Sequence, residues 1–270
     1  MTDSIPALIP AAGRGTRLHP ITNYLSKPML PVDNRPLINF VFREVEAAGL
    51  ENVFVVVAPD DTELKDYLAQ SNRDFEVTVV EQPRPRGLAD ALLYGYDAAG
   101  CPPLVALLIP DNVVLFGAGI KTLLEDLDAP RLSFAIDKIT RQEAQYFGNS
   151  GHFKTPDELP PGENGWINIT ALQEKGAGKF DCAVDNWPAW RLLPRVLLPA
   201  KFFEIARQHR AEISDGEIDD VPIYRRLLKE KPARGRPLDG EIFDTGTPEA
   251  YLRFCAEFFR HHNRAEKQKN

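Results

Sequence analysis

The fold is constrained most strongly by the alternation of short apolar runs with amphipathic stretches in the first half of the chain. The run Asn52–Ala58 (NVFVVVA) is almost entirely apolar and rich in β-branched residues, a pattern typical of a strand buried on both faces. The other predicted strands of this half are Ile5–Pro10, Phe75–Glu81 and Leu104–Pro110. Predicted helices lie between them at Pro36–Gly49, Asp60–Gln70 and Gly87–Gly100. This alternation predicts an α/β fold with a mainly parallel sheet and helices on both of its faces.

The second half of the chain, after about residue 130, does not show this regular alternation of strands and helices. Its predicted strands are Leu132–Ile139 and Trp166–Glu174. Its predicted helices are Pro199–Arg210, Glu217–Glu230 and one that starts with Thr247 as N-cap and Pro248 in its first turn. We therefore predict one domain over residues 1–260, with halves of about 1–130 and 131–260, the second carrying inserted β structure. The charged tail, 261–270, is expected to fray, beginning near Arg260.

Composition excludes several classes of protein. A formal net charge of −7 and a pI near 5.4 argue against a nucleic-acid-binding protein, which would need a basic face. No run approaches the roughly 18 apolar residues that a membrane span needs. The cysteines, Cys101, Cys182 and Cys255, are scattered singly, which argues against a disulfide framework and a zinc site. A cytoplasmic protein without a nucleic-acid or membrane partner is expected.

The first candidate binding element is the loop Ala11–Leu18 (AAGRGTRL), directly after the first predicted strand. Gly13 and Gly15 would let the backbone approach phosphate groups, and ligands of open α/β folds bind at this end of a strand. Leu18 stands where a dinucleotide fingerprint has its third glycine, and no Gly-Lys-Ser/Thr follows, so neither that site nor a P-loop is predicted. Two glycines alone also fit a tight turn. The guanidinium of Arg17, which suits phosphate oxygens, favours phosphate binding.

The second candidate element is Lys27-Pro28-Met29-Leu30-Pro31. A lysine before proline is expected in extended backbone, from which its ammonium group could point back at the glycine loop. By itself, such a lysine is more often a solvated surface residue. Its position after the glycine loop is what gives it functional meaning.

Together, the pattern G-x-G-T-R-L-x-P-x-T and the following K-P-M-L-P resemble the sugar nucleotidyltransferase family, which includes glucose-1-phosphate uridylyl- and thymidylyltransferases. The resemblance implies a Rossmann-like fold of the nucleotide-diphospho-sugar transferase type, with an inserted β-rich region that binds the sugar. The nucleotide-binding positions that it implies are Ala12, Gly13, Gly15, Thr16 and Arg17. It further implies that Arg17 and Lys27 are catalytic residues that neutralise the triphosphate.

The segment Gln82–Ala91 (QPRPRGLADA) resembles the family's base-binding element. The resemblance implies that the Gln82 amide reads a pyrimidine edge and that Gly87 lets the base lie against the backbone. A side-chain amide offers one acceptor and two donors, which suits uracil or thymine. The opening I-P-A-A-G with Pro110-Asp111 resembles the uridylyl branch, whereas Gln82-Pro83 with Gly87–Ala89 resembles the thymidylyl branch. Both dTTP and UTP stay open as substrates, with a slight preference for dTTP.

Two aspartates are candidate metal ligands. Asp111 follows the fourth predicted strand, and Asp244 lies in Phe243–Pro248 (FDTGTP). Carboxylate oxygens suit Mg²⁺, although an aspartate after a strand is more often a cap or a turn former. The resemblance implies that Asp111 and Asp244 bind Mg²⁺ as the cofactor.

Four residues are implied to bind the sugar phosphate. In Leu172–Lys175 (LQEK), the resemblance implies that Glu174 binds sugar hydroxyls and that Lys175 pairs with the phosphate as a third catalytic residue. It also implies sugar-site positions at Asn112 and at Gly148 of Tyr146-Phe147-Gly148.

The sequence departs from the family on this sugar side. Gly176–Gly178 stands where a proline is usual, and Ala183-Val184 is followed by Asp185-Asn186 where the family has threonine-glycine. Glucose 1-phosphate is therefore only the family default among sugar phosphates. The acidic residues of Glu217–Asp220 are expected to be mostly structural.

The reaction that this resemblance implies is attack by a sugar-phosphate oxygen on the α-phosphorus of the triphosphate, with release of pyrophosphate. The nucleophile is already an anion, so no general base is required, and positioning and charge neutralisation supply the catalysis. Family resemblance also implies a homo-oligomer. Two alternatives stay open: a catalytically inactive nucleotide- or sugar-binding regulatory paralogue, and a dinucleotide-dependent oxidoreductase, which the incomplete glycine fingerprint disfavours.

Overall fold

The computed structural model describes residues 5–70, 72–125, 127, 129–144, 165–172 and 189–267. In chain order, its strands are β1 (Ala7–Pro10), β2 (Pro31–Val32), β3 (Arg35–Pro36), β4 (Asn52–Val57), β5 (Glu76–Glu81), β6 (Leu104–Leu108), β7 (Asn112–Leu115), β8 (Ser133–Ile139), β9 (Ile167–Ile169), β10 (Ala189–Pro199), β11 (Ala233–Pro237) and β12 (Glu241–Asp244). Its α-helices are α1 (Ile38–Ala48), α2 (Thr62–Gln70), α3 (Leu88–Ala98), α4 (Lys121–Leu124), α5 (Arg141–Ala144), α6 (Ala200–Glu212), α7 (Val221–Glu230) and α8 (Pro248–Lys267). Short 3₁₀ helices cover Thr16–Leu18, Ile21–Asn23 and Lys27–Met29. None of the helices described has the length and apolar character that crossing a membrane requires.

Eight strands form one sheet in the order β5-β4-β1-β6-β10-β8-β11-β9. The first four are parallel to one another, β10 runs antiparallel to both of its neighbours, and β11 is parallel to β8. The chain adds β4 and β5 on one side of β1 and then crosses to place β6 on the other side. Such a reversal of strand order opens a crevice at the carboxyl ends of the strands. The predicted α/β fold is confirmed.

The buried strand β1 separates two apolar cores. Ile9 is fully buried in the core that includes Val41 of α1, whereas the adjacent Leu8 is buried in the core that includes Leu92 of α3. Successive strand residues point to opposite faces, so a strand covered by helices on both sides must be apolar at every position. This is the physical reason for the uninterrupted apolar runs in the sequence.

Most predicted elements of the first half are present, with ends that differ by a few residues. The first predicted helix starts at Ile38 instead of Pro36, because Pro36 pairs within the small β2–β3 hairpin. The strand predicted to reach Pro110 ends at Leu108. The loop after β6 therefore begins two residues earlier than the sequence indicated, and the loops after β1, β5 and β6 form one rim of the sheet.

The predictions for the second half need larger corrections. The helix predicted from Glu217 begins at Val221, because the Ile218 amide donates to Arg86 O (2.7 Å) and holds that segment outside the helix. The strand predicted over Trp166–Glu174 covers only Ile167–Ile169, and its last two residues lie outside the described part of the chain. The charged tail, expected to fray from near Arg260, is helical as far as Lys267.

Strands β7, β10, β11 and β12 were not predicted. The longest of them, β10, reads AWRLLPRVLLP and buries two arginines completely, Arg191 and Arg195. Arg191 pairs with Asp137 of β8 across the sheet, at 3.0 Å. Charged residues at buried positions interrupt the apolar pattern by which such strands are recognised. Only their partners on other elements make these positions possible.

Candidate active site

A cleft of about 720 Å³ opens at the carboxyl ends of β1, β5 and β6. This cleft is lined by every candidate site residue in the described part of the chain: Ala12, Gly13, Gly15, Thr16, Arg17, Lys27, Gln82, Gly87, Asp111, Asn112 and Asp244. The remaining candidates, Gly148, Glu174 and Lys175, lie outside the described residues. The fold therefore collects side chains and loops from widely separated parts of the sequence into one site.

The glycine loop turns sharply after β1. Gly15 has φ +61°, a left-handed conformation that side chains rarely adopt, and it precedes the 3₁₀ helix Thr16–Leu18. The Thr22 hydroxyl donates to Gly15 O at 2.9 Å. A Cβ at Gly15 would lie 3.0 Å from Thr22 Cγ2, whereas one at Gly13 would meet nothing within 4 Å. Gly15 is thus required by the turn itself, and Gly13 leaves open space beside the cleft.

Lys27 lies in the cleft beside the metal-ligand candidate Asp111. Its Nζ donates to Asp111 Oδ2 at 2.8 Å, and both side chains are largely buried. Lys27 is the first residue of a 3₁₀ helix, so the prediction of extended backbone before Pro28 was wrong. The tight turn nevertheless places Lys27 beside the glycine loop: its Cβ would be 3.3 Å from a Cβ at Gly15.

Backbone pairing brings the two candidate metal ligands to the same place. In the β7–β12 ladder, Asp244 pairs with Asn112, the residue after Asp111. The Thr245 amide and hydroxyl both donate to Asp111 O, at 2.8 and 2.9 Å. The ladder was not predicted, yet it is what places these two carboxylates side by side.

Helix α8 packs against this ladder from outside the sheet. Phe254 and Phe258 of α8 form edge-on ring contacts with Phe40 of α1, each at 5.2 Å between ring centres. Phe243 of β12 lies 5.2 Å from the Phe254 ring. This aromatic cluster fixes β12 against the body of the protein and thereby fixes the position of Asp244.

Arg17 reaches the same group of charges from the glycine loop. A Cβ built at Gly246 would lie 3.3 Å from Arg17 Nη2. The same Cβ would lie 2.8 Å from Asp244 Oδ1, so the two side chains approach each other at Gly246. The Gly246 amide donates to Asp244 Oδ1 at 2.6 Å. Asp111, Asp244, Lys27 and Arg17 thus form a cluster of two carboxylates and two cations within the cleft.

The two carboxylates have different electrostatic surroundings. Burial alone would raise the pKa of Asp111, but the Lys27 ammonium and its hydrogen bond outweigh burial and hold that pKa below its ordinary value. Burial, followed by repulsion from the Asp111 carboxylate, raises the pKa of Asp244. Two neighbouring carboxylates that repel each other are a favourable place for a divalent cation.

These residues fit a magnesium ion that is shared with a substrate. The described part of the chain contains no group of three or more His, Cys, Asp or Glu side chains that could hold a metal. Mg²⁺ is commonly held by one or two carboxylates together with substrate phosphates and water, rather than by a cage of protein ligands. Asp111 and Asp244 supply that number of carboxylates.

A buried ion pair, which the sequence did not predict, supports the backbone around Asp111. Arg195 donates to both carboxylate oxygens of Glu44 on α1. The same guanidinium donates to Ile109 O (3.0 Å) and to Asn112 O (2.7 Å), the carbonyls on either side of Asp111. Both side chains are almost fully buried, at 1% and 6% exposure. Arg195 thus holds the backbone that carries Asp111. The only feature of the sequence that could have indicated this role is the presence of an arginine within an apolar run.

The two base-binding candidates, Gln82 and Gly87, both make close contacts within the protein. Gln82 is buried, and its Nε2 donates to Gly87 O (3.2 Å) and to Asp90 Oδ2 (2.9 Å). Gly87 has φ +92°, and a Cβ there would lie 2.8 Å from both Ile218 N and Ile218 O. The close approach of the Ile218 backbone is therefore enough by itself to exclude a side chain at Gly87.

Another part of the cleft wall is formed by the segment around Ile218 and by the start of α7. Glu217, Asp220 and Tyr224 line it. Burial, followed by the nearby Asp220 carboxylate, raises the pKa of Tyr224 well above its ordinary value. The expectation that the Glu217–Asp220 acids are mostly structural overlooked that two of them face the cleft.

The chain is similar to known proteins over nearly its whole length. The nucleotidyl transferase family model matches residues 6–175. The chain is 30% identical over 291 residues to UTP–glucose-1-phosphate uridylyltransferase 1 of Streptococcus pyogenes serotype M1, covering 97% of this chain and 91% of that protein. It is 25% identical to UTP–glucose-1-phosphate uridylyltransferase of Streptococcus pneumoniae serotype 4, covering 95% and 90%.

The fold is also shared with solved structures. The structure of UDP-glucose pyrophosphorylase complexed with UDP-glucose superposes with a TM-score of 0.77 at 22% identity, covering 95% of this chain and 99% of that chain. The resemblance inferred from the sequence motifs is confirmed. The family model spans more than half of the chain, and the chain belongs to the nucleotidyl transferase family.

Proposed function

We propose that this protein transfers a uridylyl group from UTP to glucose 1-phosphate, with Mg²⁺ as cofactor, and releases pyrophosphate. The observation that carries the proposal is the convergence of Arg17, Lys27, Asp111 and Asp244 beside the glycine loop in one cleft. Such a cluster suits a polyphosphate and a divalent cation together. dTTP is the second candidate donor, and the uridylyltransferase relatives favour UTP over it.

The glycine loop and the two cations have complementary roles in this proposal. The loop backbone at Ala12–Thr16 would face the triphosphate, because Gly13 leaves room there. Arg17 and Lys27 would balance its negative charge and that of the departing pyrophosphate. The attacking sugar-phosphate oxygen is already an anion, so the residues need only to position the reactants and neutralise their repulsion.

Asp111 and Asp244 would hold the magnesium ion. When bound, this ion supplies charge neutralisation and orientation of phosphate oxygens. The Lys27 ammonium keeps Asp111 ionised, as the lowered pKa of that carboxyl indicates, and an ionised carboxylate is the form that binds a cation. The backbone bonds from Thr245 and Arg195 hold Asp111 in place.

The sugar side of the site is proposed from the family resemblance and from the relatives. Asn112 lies at the cleft next to Asp111 and would contact the sugar phosphate. Glu174 and Lys175 keep their proposed roles, with Lys175 pairing with the attacking phosphate. Glucose 1-phosphate is preferred because the relatives are named for it.

The test is pyrophosphate release by the purified protein, with UTP, dTTP, CTP, ATP and GTP against a panel of hexose 1-phosphates. Parallel reactions contain Mg²⁺ or a chelator, and mass spectrometry identifies the nucleotide sugar. We expect release with UTP and glucose 1-phosphate, dependent on Mg²⁺. If no pair reacts while the triphosphates still bind, the protein is an inactive nucleotide-binding paralogue and the proposal fails.

A further inference from the structure

The orientation of the Gln82 amide is fixed by its neighbours. Its Nε2 donates to Asp90 Oδ2 at 2.9 Å and to Gly87 O at 3.2 Å. An amide nitrogen carries two hydrogens, so both are used inside the protein. Rotating the amide by half a turn would place its oxygen against two acceptors, which is unfavourable at a buried position.

The remaining polar atom of this side chain is Oε1. Within the described part of the chain, no group donates a hydrogen bond to it, while Gln82 itself lines the cleft. Gln82 therefore offers a ligand one acceptor and no donor. This differs from a freely rotating amide, which could present either its oxygen or its nitrogen.

A fixed acceptor distinguishes between nucleobases. Uracil and thymine carry an N3–H donor on the pairing edge, whereas cytosine has an acceptor at N3 and adenine has one at N1. An acceptor that faces another acceptor leaves two buried polar atoms unpaired, and such sites reject the wrong ligand strongly. We propose that Asp90 is a specificity-determining residue, which holds Gln82 as an obligate acceptor and thereby selects bases with an imino N–H over cytosine. The proposal deepens the function proposed above and rests on it.

Asp90 is well placed to act as this fixed partner. It lies in the first turn of α3 and is only 1% exposed. Its other oxygen, Oδ1, lies 3.3 Å from Arg210 Nε on α6. An ordinary aspartate is a carboxylate at neutral pH, and a carboxylate can only accept hydrogen bonds. A neutral amide at this position could also donate, and would then support the reversed orientation of Gln82.

The experiment compares UTP with CTP in the wild-type protein and in Asp90→Asn and Asp90→Ala. The specificity constants kcat/KM are measured with glucose 1-phosphate, and calorimetry gives dissociation constants for both nucleotides without the sugar. The wild type is expected to prefer UTP by roughly 10²-fold or more. Either substitution is expected to lower this UTP-to-CTP ratio by about 10-fold, with CTP gaining relative to UTP. Thermal unfolding shows whether each variant is folded. One folded variant of Asp90 is enough for the comparison with the wild type.

Arg210→Gln is the matched control, because it removes the ion pair of Asp90 and leaves the contact with Gln82. Its UTP-to-CTP ratio is expected to equal that of the wild type. The proposal is overturned if folded Asp90 variants lose both nucleotides equally, if their ratio stays within about twofold of the wild type, or if Arg210→Gln lowers the ratio as far as they do.

Failure of the function proposed above would look different. A wild-type protein that binds UTP more tightly than CTP but releases no pyrophosphate would refute the reaction and leave the role of Asp90 standing. A wild-type protein that turns over UTP and CTP equally would refute the role of Asp90 and leave the reaction standing.

Discussion

Lys27 and Asp111 are joined across the cleft by a 2.8 Å contact between Nζ and Oδ2, although 84 positions separate them in the sequence. Lys27 belongs to a short 3₁₀ helix that follows the glycine loop, and Asp111 follows β6. The contact keeps a carboxylate ionised at the proposed magnesium site, and the Lys27 side chain starts beside the glycine loop. Four predictions start from this cluster and from the residues that hold it.

Lys27→Met should lower kcat/KM by roughly 10²–10³-fold, because a preorganised cation beside the triphosphate is lost. The measurement is steady-state pyrophosphate release with UTP and glucose 1-phosphate. Lys65→Met is the control: Lys65 also forms a lysine–carboxylate pair, with Glu81, but outside the cleft. Equal activity of Lys27→Met and wild type would remove Lys27 from the catalytic group.

Asp111→Asn should raise the Mg²⁺ concentration at half-maximal rate by about 10-fold or more, because a neutral amide is a weaker ligand for a hard cation than a carboxylate. The check is a magnesium titration at saturating substrates. Asp97→Asn, on the exposed end of α3, should titrate like the wild type. An unchanged titration in Asp111→Asn would contradict the ligand role.

Arg195→Met should destabilise the protein by about 3–5 kcal/mol, because it leaves the buried Glu44 carboxylate without its partner. Urea unfolding measures this loss. The double variant Glu44→Leu with Arg195→Met should be less destabilised than Arg195→Met alone, since the unpaired charge is gone. Both should also weaken magnesium dependence, because Arg195 no longer holds the carbonyls on either side of Asp111.

The interpretation of Arg195 has its own control. Arg207→Gln breaks an exposed ion pair with Asp97 and should leave both the unfolding curve and the magnesium titration near those of the wild type. If Arg195→Met were as stable as Arg207→Gln, the ion pair with Glu44 would have no structural importance.

The two loop glycines should respond differently to alanine. Gly15→Ala should cost about 1–2 kcal/mol of unfolding free energy, because its φ of +61° is unfavourable for a residue with a Cβ and Thr22 Cγ2 is only 3.0 Å away. Gly13→Ala should leave stability near wild type, since its Cβ meets nothing within 4 Å, but should raise the KM for UTP. Thermal unfolding and kinetics together test this. A normal KM in Gly13→Ala would show that no phosphate approaches the loop there.

The sequence anticipated which loops meet at the cleft, because each of these loops is contiguous and follows a strand. The loops after β1, β5 and β6 each carry their functional residues within a few positions, and parallel strands bring such loops to one edge. The candidates Gly15, Arg17, Gln82 and Asp111 could therefore be placed at one edge from the motifs and the prediction of a mainly parallel sheet.

Contacts between distant segments of the chain could not be predicted from the sequence. Nothing local to Asp90 indicates its contact with Gln82, and nothing local to Gly87 indicates that the Ile218 backbone lies against it. The Arg195–Glu44 pair likewise joins β10 to α1. A side chain's partner depends on how the elements pack, and that packing is not encoded in the periodicity of any one segment.

The sequence by itself determined the alternation of strands and helices, the glycine loop and the family to which the chain belongs, because these follow from residue spacing and short motifs. Only the tertiary structure decided that Asp244 lies beside Asp111, since the β7–β12 ladder that pairs them forms between segments more than 100 residues apart. Likewise, only the tertiary structure decided which atom of Gln82 is left to meet a ligand. Both outcomes depend on hydrogen bonds that form only when distant segments of the chain come together, and the free energy of burial brings them together.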